Sequence, residues 1–317
     1  MDYRRVGDSG LEVSEVGFGS WLTLGSSIDA LASSELVRRA FDLGVNFFDT
    51  ADVYANGSAE EALGRAVRDL PRQELVIASK CFFAMSKRPN DRGLSRKHVV
   101  ESIEGSLRRL GLDYLDLHQC HRFDPEVPLE ETVRAYEDVI RQGKILYWGV
   151  SQWSGAQVRE ACRIADTTGG YRPISNQPGY SILRREIEAE VLPTCDELGI
   201  GQLAFSPLAQ GALTGKYGGG PPPPGTRAAD EQRNRFMGDL LKTEKLETVP
   251  ALLPLAEGLG ILPAQLALRW CLRIPRLASV IVGATRLAQL EENCNASGAP
   301  LPAAVVARID EIAPATR

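Results

Sequence analysis

The chain has 317 residues, 44% hydrophobic and 24% charged, which is ordinary globular composition with ample material for a packed core. Its formal charge of −5 argues against a broadly basic nucleic-acid binder, so a site for an anionic ligand has to be a local basic cluster. Six irregularly spaced cysteines without a CxxC pair, no apolar leader after Met1-Asp2-Tyr3-Arg4-Arg5, and no apolar run of the ~18 residues a membrane helix needs predict a soluble, cytoplasmic protein with free thiols.

The chain opens on a hairpin pattern: Tyr3-Arg4-Arg5-Val6, the turn Gly7-Asp8-Ser9-Gly10, then Leu11-Glu12-Val13. Apolar runs then alternate with amphipathic segments. Val16–Phe18 leads to a helix over Ser34–Leu43, Val45–Phe48 to Glu60–Leu70, Leu75–Ala78 to Ser95–Leu110, and Tyr114–Leu117 to Leu129–Gln142. Leu146–Val150 leads to Ala156–Asp166, Ile174–Asn176 to Arg185–Leu198, Gln202–Phe205 to Pro263–Arg273, and Leu277–Val282 to Arg286–Ala296. The strand runs are apolar throughout rather than alternating, as parallel strands covered on both faces should be. Gly44, Gly111, Gly143 and Gly199 close four of the helices. Eight such units in one run predict a single closed (β/α)8 barrel; a doubly wound sheet is the competing arrangement.

One stretch breaks the rhythm. Between Leu208 and Leu246 lies a long loop containing Gly218-Gly219-Gly220-Pro221-Pro222-Pro223-Pro224-Gly225. It follows the seventh strand, on the face where barrels carry their sites, and reads either as a lid or as an inert insertion. Helical patterns at Leu246–Leu259 and Ala303–Ile312 are additions outside the eight-fold repeat.

The C-terminal ends of the strands carry Asp49, Lys80, His121, Ser151, Gln177, Ser206 and Gly283-Ala284-Thr285. An acid, a lysine and a histidine that each end an apolar run converge on one mouth. Asp49 and Lys80 on adjacent strands can pair, either as a rim salt bridge or as part of a site. Tyr54, five residues past Asp49, brings a phenol to the same mouth. A phenol is a poor acid at neutral pH, and a nearby ammonium lowers its pKa, so the three together suit a general acid. His118 and His121 are three apart on a strand and face opposite ways; metal binding is not expected, and His121 is the better site candidate. Gly17-Phe18-Gly19-Ser20-Trp21-Leu22 imitates a dinucleotide fingerprint but lacks its third glycine. Trp21, Tyr54, Phe82, Phe83 and Trp153 are candidates for an apolar substrate pocket or for the core.

Several stretches carry a resemblance. They are Asn46-Phe47-Phe48-Asp49-Thr50-Ala51-Asp52-Val53-Tyr54, Leu94-Ser95-Arg96-Lys97-His98, Asp113-Tyr114-Leu115-Asp116-Leu117-His118-Gln119-Cys120-His121, Tyr147-Trp148-Gly149-Val150-Ser151, Ser206-Pro207-Leu208-Ala209-Gln210-Gly211 and Gly283-Ala284-Thr285-Arg286-Leu287-Ala288-Gln289-Leu290-Glu291-Glu292-Asn293. In these motifs and their order the chain resembles the aldo-keto reductases, closest to the branch containing potassium-channel β subunits and related bacterial reductases. The resemblance implies one barrel domain over 1–317, with an N-terminal hairpin cap, extra helices and a long βα loop at about 209–245. It implies an NADPH-dependent oxidoreductase that reduces an aldehyde or ketone, with Asp49, Tyr54, Lys80 and His121 as catalytic tetrad and Tyr54 as general acid. By the same resemblance Ser20, Trp21 and Asp49 flank the cofactor and substrate, and Ser151, Gln152 and Gln177 hold the carboxamide end. Phe205, Ser206, Pro207, Leu208, Gly211 and Lys216 follow the pyrophosphate. Arg227, Gly283, Thr285, Gln289, Glu292 and Asn293 surround the adenosine end.

The partner expected is a small carbonyl substrate, with neither nucleic acid nor membrane. The alternative is a redox-sensing, NADPH-binding regulatory subunit that turns over slowly; a dehydrogenase working in the alcohol-oxidising direction is a third. The channel β subunits carry Asn at the position of His121, and the hairpin at Tyr3 leaves no segment before it for a channel-blocking peptide. Both features favour the enzyme.

Overall fold

The computed structural model describes residues 1–217, 226–229, 234, 237 and 244–315. The Gly/Pro run at 218–225 lies outside the described residues, and with it the choice between lid and insertion. The chain enters through the antiparallel hairpin β1 (Tyr3–Arg5) and β2 (Glu12–Ser14). Eight strands then close a barrel in chain order: β3 (Val16–Gly19), β4 (Phe47–Asp49), β5 (Val76–Cys81), β6 (Leu115–Cys120), β7 (Ile145–Ser151), β8 (Ser175–Gln177), β9 (Gly201–Phe205) and β10 (Leu277–Val282), which returns to β3. Every neighbouring pair is parallel. The expected (β/α)8 barrel is therefore the observed fold.

The surrounding helices are α1 (Ala30–Asp42), α2 (Ser58–Val67), α3 (Arg96–Leu110), α4 (Leu129–Arg141), α5 (Gly155–Thr168), α6 (Val191–Leu198), α7 (Val249–Gly258), α8 (Pro263–Leu272), α9 (Leu287–Cys294) and α10 (Ala303–Ile312). Helix starts follow caps: the Asp29 carboxylate accepts from the Ala32 amide at 2.8 Å, and Ser154 forms a capping box with Gln157. The first helix thus begins four residues before the apolar period becomes visible at Ser34. The sixth begins at Val191 rather than Arg185, because Pro193 in its first turn would clash with a preceding helical carbonyl. Gly111 and Gly199 are left-handed C-caps, at φ 68° and 73°.

Two apolar layers hold the barrel. A large one packs outward-facing strand residues such as Phe18, Phe48, Ile77 and Trp148 against the helices. A smaller one fills the interior with Phe47, Val76, Ala78, Leu117, Leu203 and Ile281, and the hairpin residues Val6 and Val13 join it. The hairpin plugs the end from which the strands start: a Cβ at Gly7 would lie 2.2 Å from the Gly199 carbonyl oxygen and 2.6 Å from the Gly201 amide. Arg4 pins it there, donating to Glu15 at 2.7 Å and to the Leu272 carbonyl at 2.8 Å. The opposite end stays open.

The glycines of the fingerprint-like stretch serve this packing. A Cβ at Gly17 would meet the Phe47 ring at 2.5 Å, and one at Gly19 the Ile281 side chain at 2.7 Å. All six cysteines are buried and none forms a disulfide. No single helix among the described residues is long and apolar enough to cross a membrane.

Candidate active site

β4 pairs with β5 so that Asp49 stands opposite Ala78. Lys80, two residues beyond Ala78, therefore points the same way as Ala78, into the barrel. Its Nζ donates to Asp49 Oδ2 and to the Thr50 carbonyl, both at 2.7 Å, and reaches the Tyr54 hydroxyl at 3.5 Å. Lys80 is wholly buried. Asp49 is satisfied on its other side by Gln177 Nε2 at 2.8 Å, and the Gln177 carbonyl accepts from Ser151 Oγ at 2.9 Å. Ser20 ties β3 to the same corner through Thr50 Oγ1 at 2.8 Å.

His121 follows directly on β6 and meets the Tyr54 ring edge-on, with centroids 5.6 Å apart. Its Nδ1 is buried without a hydrogen-bond partner among the described residues. His118 faces away from the mouth, toward α4, where its Nδ1 meets the Tyr136 hydroxyl at 2.9 Å. No cluster of three metal-type side chains occurs among the described residues.

Burial sets the protonation states. It drives the His121 pKa well below the ordinary histidine value, and the Lys80 charge drives it further, so the imidazole is neutral. Burial works against the Lys80 ammonium too, but the Asp49 carboxylate and Tyr54 outweigh it and leave the lysine pKa raised. For Tyr54 the sequence leads one to expect a lowered pKa. The Lys80 charge does pull downward, but burial pushes upward more strongly, and the net direction is up. The phenol therefore keeps its proton at neutral pH.

A cleft of about 1330 Å³ opens over these groups at the C-terminal mouth. It is lined by Ser20, Trp21, Asp49, Tyr54, His121, Ser151, Gln152, Gln177, Phe205, Ser206, Pro207, Leu208, Gly211 and Lys216. Gly283, Thr285, Gln289, Glu292 and Asn293 continue the wall, the last three along one face of α9. Lys80 stands behind the wall. Arg227 belongs to a short 3-10 turn, Arg227–Ala229, and its side chain lies outside the described residues. Of the pocket candidates, Trp21, Tyr54 and Phe83 line the cleft. Trp153 is a core residue, 1% exposed and packed edge-on against Phe123, and Phe82 packs behind Phe83.

Arg122, Arg184, Gln210 and Thr214 line the cleft without having been singled out by sequence. Arg122 had a signal, being the next residue after His121. Arg184 had none, since a tertiary turn places it. Among the described residues, every non-glycine with positive φ sits in a loop at this mouth: Leu22, Ala55, Asn56, Gln152, Ser206, Ala209 and Gln210. Such backbone costs ~1–2 kcal/mol per residue, and its confinement to one rim marks the site.

A closed parallel barrel with a buried lysine–aspartate pair, a protonated phenol and a neutral imidazole under one long cleft defines a (β/α)8 barrel built for acid–base work at its C-terminal face. The chain belongs to the aldo/keto reductase family, whose model matches residues 15–314, and it is an oxidoreductase of that family. It is similar to a probable voltage-gated potassium channel subunit beta of Arabidopsis thaliana, 46% identical over 93% of this chain and 91% of that protein. A probable subunit of the same description from Oryza sativa subsp. japonica is 45% identical over the same shares. A putative voltage-gated potassium channel subunit beta of Schizosaccharomyces pombe is 41% identical over 98% of this chain and 93% of that protein.

Proposed function

We propose that the protein is an NADPH-dependent carbonyl reductase with Tyr54 as proton donor. The observation that carries this reading is the contact set itself: Asp49, Lys80 and Tyr54 in hydrogen-bonding sequence, with His121 beside the phenol under one cleft.

The residues fit an extended dinucleotide. The cleft runs from the rim of β4–β6 to α9, and its volume suits such a ligand. Lys216 supplies a cation over the turn 206–211: a Cβ at Gly211 would lie 2.6 Å from its Nζ. Ser151, Gln152 and Gln177 would hold the carboxamide end, Ser206, Pro207, Leu208, Gly211 and Lys216 the pyrophosphate, and Thr285, Gln289, Glu292 and Asn293 the adenosine end. Bound there, NADPH supplies hydride to the carbonyl carbon.

The protein's own groups do the rest. Tyr54 hydrogen-bonds the carbonyl oxygen and gives it the proton. Lys80, neutralised by Asp49, stabilises the phenolate left behind. His121, neutral and on the cleft wall beside the phenol, orients the carbonyl. The sum is one carbonyl, one hydride and one proton giving one alcohol.

The test is Tyr54→Phe, assayed with a panel of aldehydes and ketones and with NADPH binding measured alongside. Turnover should fall by ~10²–10⁴-fold while NADPH still binds, because one hydroxyl is lost and the ring stays. Retention of more than about a tenth of wild-type kcat removes Tyr54 from the role.

A second reading is an NADPH-binding regulatory subunit with slow turnover; that the relatives are named as channel subunits favours the subunit part of it. A burst of hydride transfer followed by very slow cofactor exchange favours that reading; steady multiple turnover favours the reductase.

A further inference from the structure

Two guanidinium groups stand at the carbonyl end of the cleft, and the proton-transfer chemistry does not use them. Arg122 leaves the chain directly after His121. Its Nη1 donates to the His121 carbonyl oxygen, and its Cζ lies 5.4 Å from the centroid of Phe83, whose ring is itself 5.0 Å from that of His121. Arg122 has no carboxylate partner among the described residues.

Arg184 is set by a tight turn: the Ser181 amide donates to the Arg184 carbonyl at 3.1 Å, and the Arg184 amide to the Ser181 carbonyl at 3.0 Å. Its Nη2 donates to Gln152 Oε1 at 3.2 Å. A Cβ at Gly179 would lie 2.2 Å from its Nη1, so the guanidinium fills space that only glycine leaves. Its acidic neighbour Glu186 is 3.9 Å away with both side chains about half exposed (49% and 56%), a weak, screened pairing.

The two cations act on each other. Burial lowers the Arg122 pKa, the nearby Tyr54 opposes this, and the Arg184 charge lowers it further. The acids of the cleft do not relieve them: Asp49 is held by Lys80 and Gln177, and Glu292 lies on α9. Two like charges around a cleft that also holds a proton donor make a seat for an anion attached to the reacting molecule. A planar guanidinium matches a carboxylate through two parallel hydrogen bonds.

We propose that the substrate is an oxo-carboxylate, an aldehyde or ketone bearing a carboxylate that Arg122 and Arg184 hold while Tyr54 and His121 take the carbonyl oxygen. The inference rests on the reductase reading, and its test separates the two. The matched pair is para-carboxybenzaldehyde and its methyl ester, which differ in charge and not in the reacting carbonyl. With NADPH, the acid should exceed the ester in kcat/KM by about tenfold or more in wild type. Arg122→Met and Arg184→Met should each shrink that ratio by about tenfold, and Arg122→Lys should restore part of it.

Independently of turnover, para-(hydroxymethyl)benzoate and its methyl ester are titrated calorimetrically into each protein with NADP+ present. The acid should bind about tenfold more tightly than the ester in wild type only. Turnover of both aldehydes at equal kcat/KM overturns the inference and leaves the reductase standing. No turnover of either, with tighter binding of the acid that Arg122→Met abolishes, overturns the reductase and supports the anion seat. A preference for glyceraldehyde phosphate over glyceraldehyde, with acid and ester equal, overturns the carboxylate.

Discussion

At the scale of single residues, the mouth of the barrel is an arrangement of charges that burial makes unequal. Lys80 and Asp49 are each almost wholly buried, and each is the other's compensation. Lys80→Met should therefore do two things. It removes the cation that opposes the upward drift of the Tyr54 pKa, so carbonyl reduction should fall by ~10²-fold or more. It also leaves a buried carboxylate unpaired, at a cost of about 3–5 kcal/mol. Lys80→Met with Asp49→Asn should recover most of the stability, since the amide oxygen can still accept from Gln177, while the rate stays low. If melting recovers and turnover recovers with it, the lysine is structural only. Asp52, three residues from Asp49, is a second buried acid. Its carboxylate accepts from the Val53 amide at 2.6 Å and from Ser102 at 2.8 Å, yet burial raises its pKa from 3.8 to about 7. A folded-state pKa above the unfolded one gives stability that is fully present below about pH 4 and lost as pH rises through about 7. His118 works the other way: burial takes its pKa down to about 3, so its contribution is lost as pH falls below ~6.5. The wild-type profile mixes the two, and the difference between wild type and Asp52→Asn isolates the first. That difference should move by a few kcal/mol between pH 4 and 8 in favour of Asn at high pH, at ~1.4 kcal/mol per pKa unit. A flat difference curve would show that the Asp52 pKa is ordinary.

At the scale of elements, the glycines separate two kinds of constraint. Gly111 ends α3 in the left-handed region with open space around the position of a Cβ. Gly64 is in the middle of α2 with ordinary helical backbone, and a Cβ there would lie 2.3 Å from the Leu110 carbonyl at the end of α3. Gly111→Ala should cost about 1 kcal/mol from the backbone alone. Gly64→Ala gains ~1 kcal/mol of helix propensity but forces α2 and α3 apart, and it should destabilise by about 1–3 kcal/mol net. Urea midpoints decide, and an alanine at 64 that stabilises the protein would mean that the two helices are not in contact there. Only the first of these glycines was legible in the sequence, because a helix stop is local and a helix crossing is not. The same division runs through the fold. The alternation of apolar runs and amphipathic segments repeats in each βα unit, so the barrel could be read from one chain. Strand ends were read less well by hydropathy alone: the apolar runs stop at Ala78 and Leu117, whereas β5 and β6 run on to Cys81 and Cys120 through the polar pairs Ser79-Lys80 and His118-Gln119. The residues of the mouth at strand ends, such as Asp49 and Ser151, were visible for that reason of position. Arg184 was not, since a bridge to Ser181 and the missing side chain of Gly179 place it.

At the scale of the whole molecule, the proposed NADPH reading requires a chain with net charge −5 to attract a polyanion to one end of a barrel. The hairpin closes the other end, and every strained non-glycine residue among those described gathers at the open one. The cleft wall supplies Lys216 beside the 206–211 turn and Arg286 at the start of α9, where Thr285 is braced by the Gln289 side chain at 3.1 Å and 3.2 Å. Arg286 is exposed. If it meets the 2′-phosphate of NADPH, the bond is charge-assisted and contributes ~1.5–3 kcal/mol, which NADH, with a hydroxyl there, forgoes. NADPH should therefore bind at least about tenfold more tightly than NADH. Because the arginine is exposed, the advantage should shrink as the Debye length falls from ~10 Å at 0.1 M salt to ~3 Å at 1 M. Fluorescence titration of both cofactors at the two salt concentrations, in wild type and in Arg286→Met, is the measurement. Equal affinities would remove the cofactor preference. A preference that persists unchanged in high salt and in Arg286→Met would move the phosphate contact away from α9, toward residues buried deeper in the cleft.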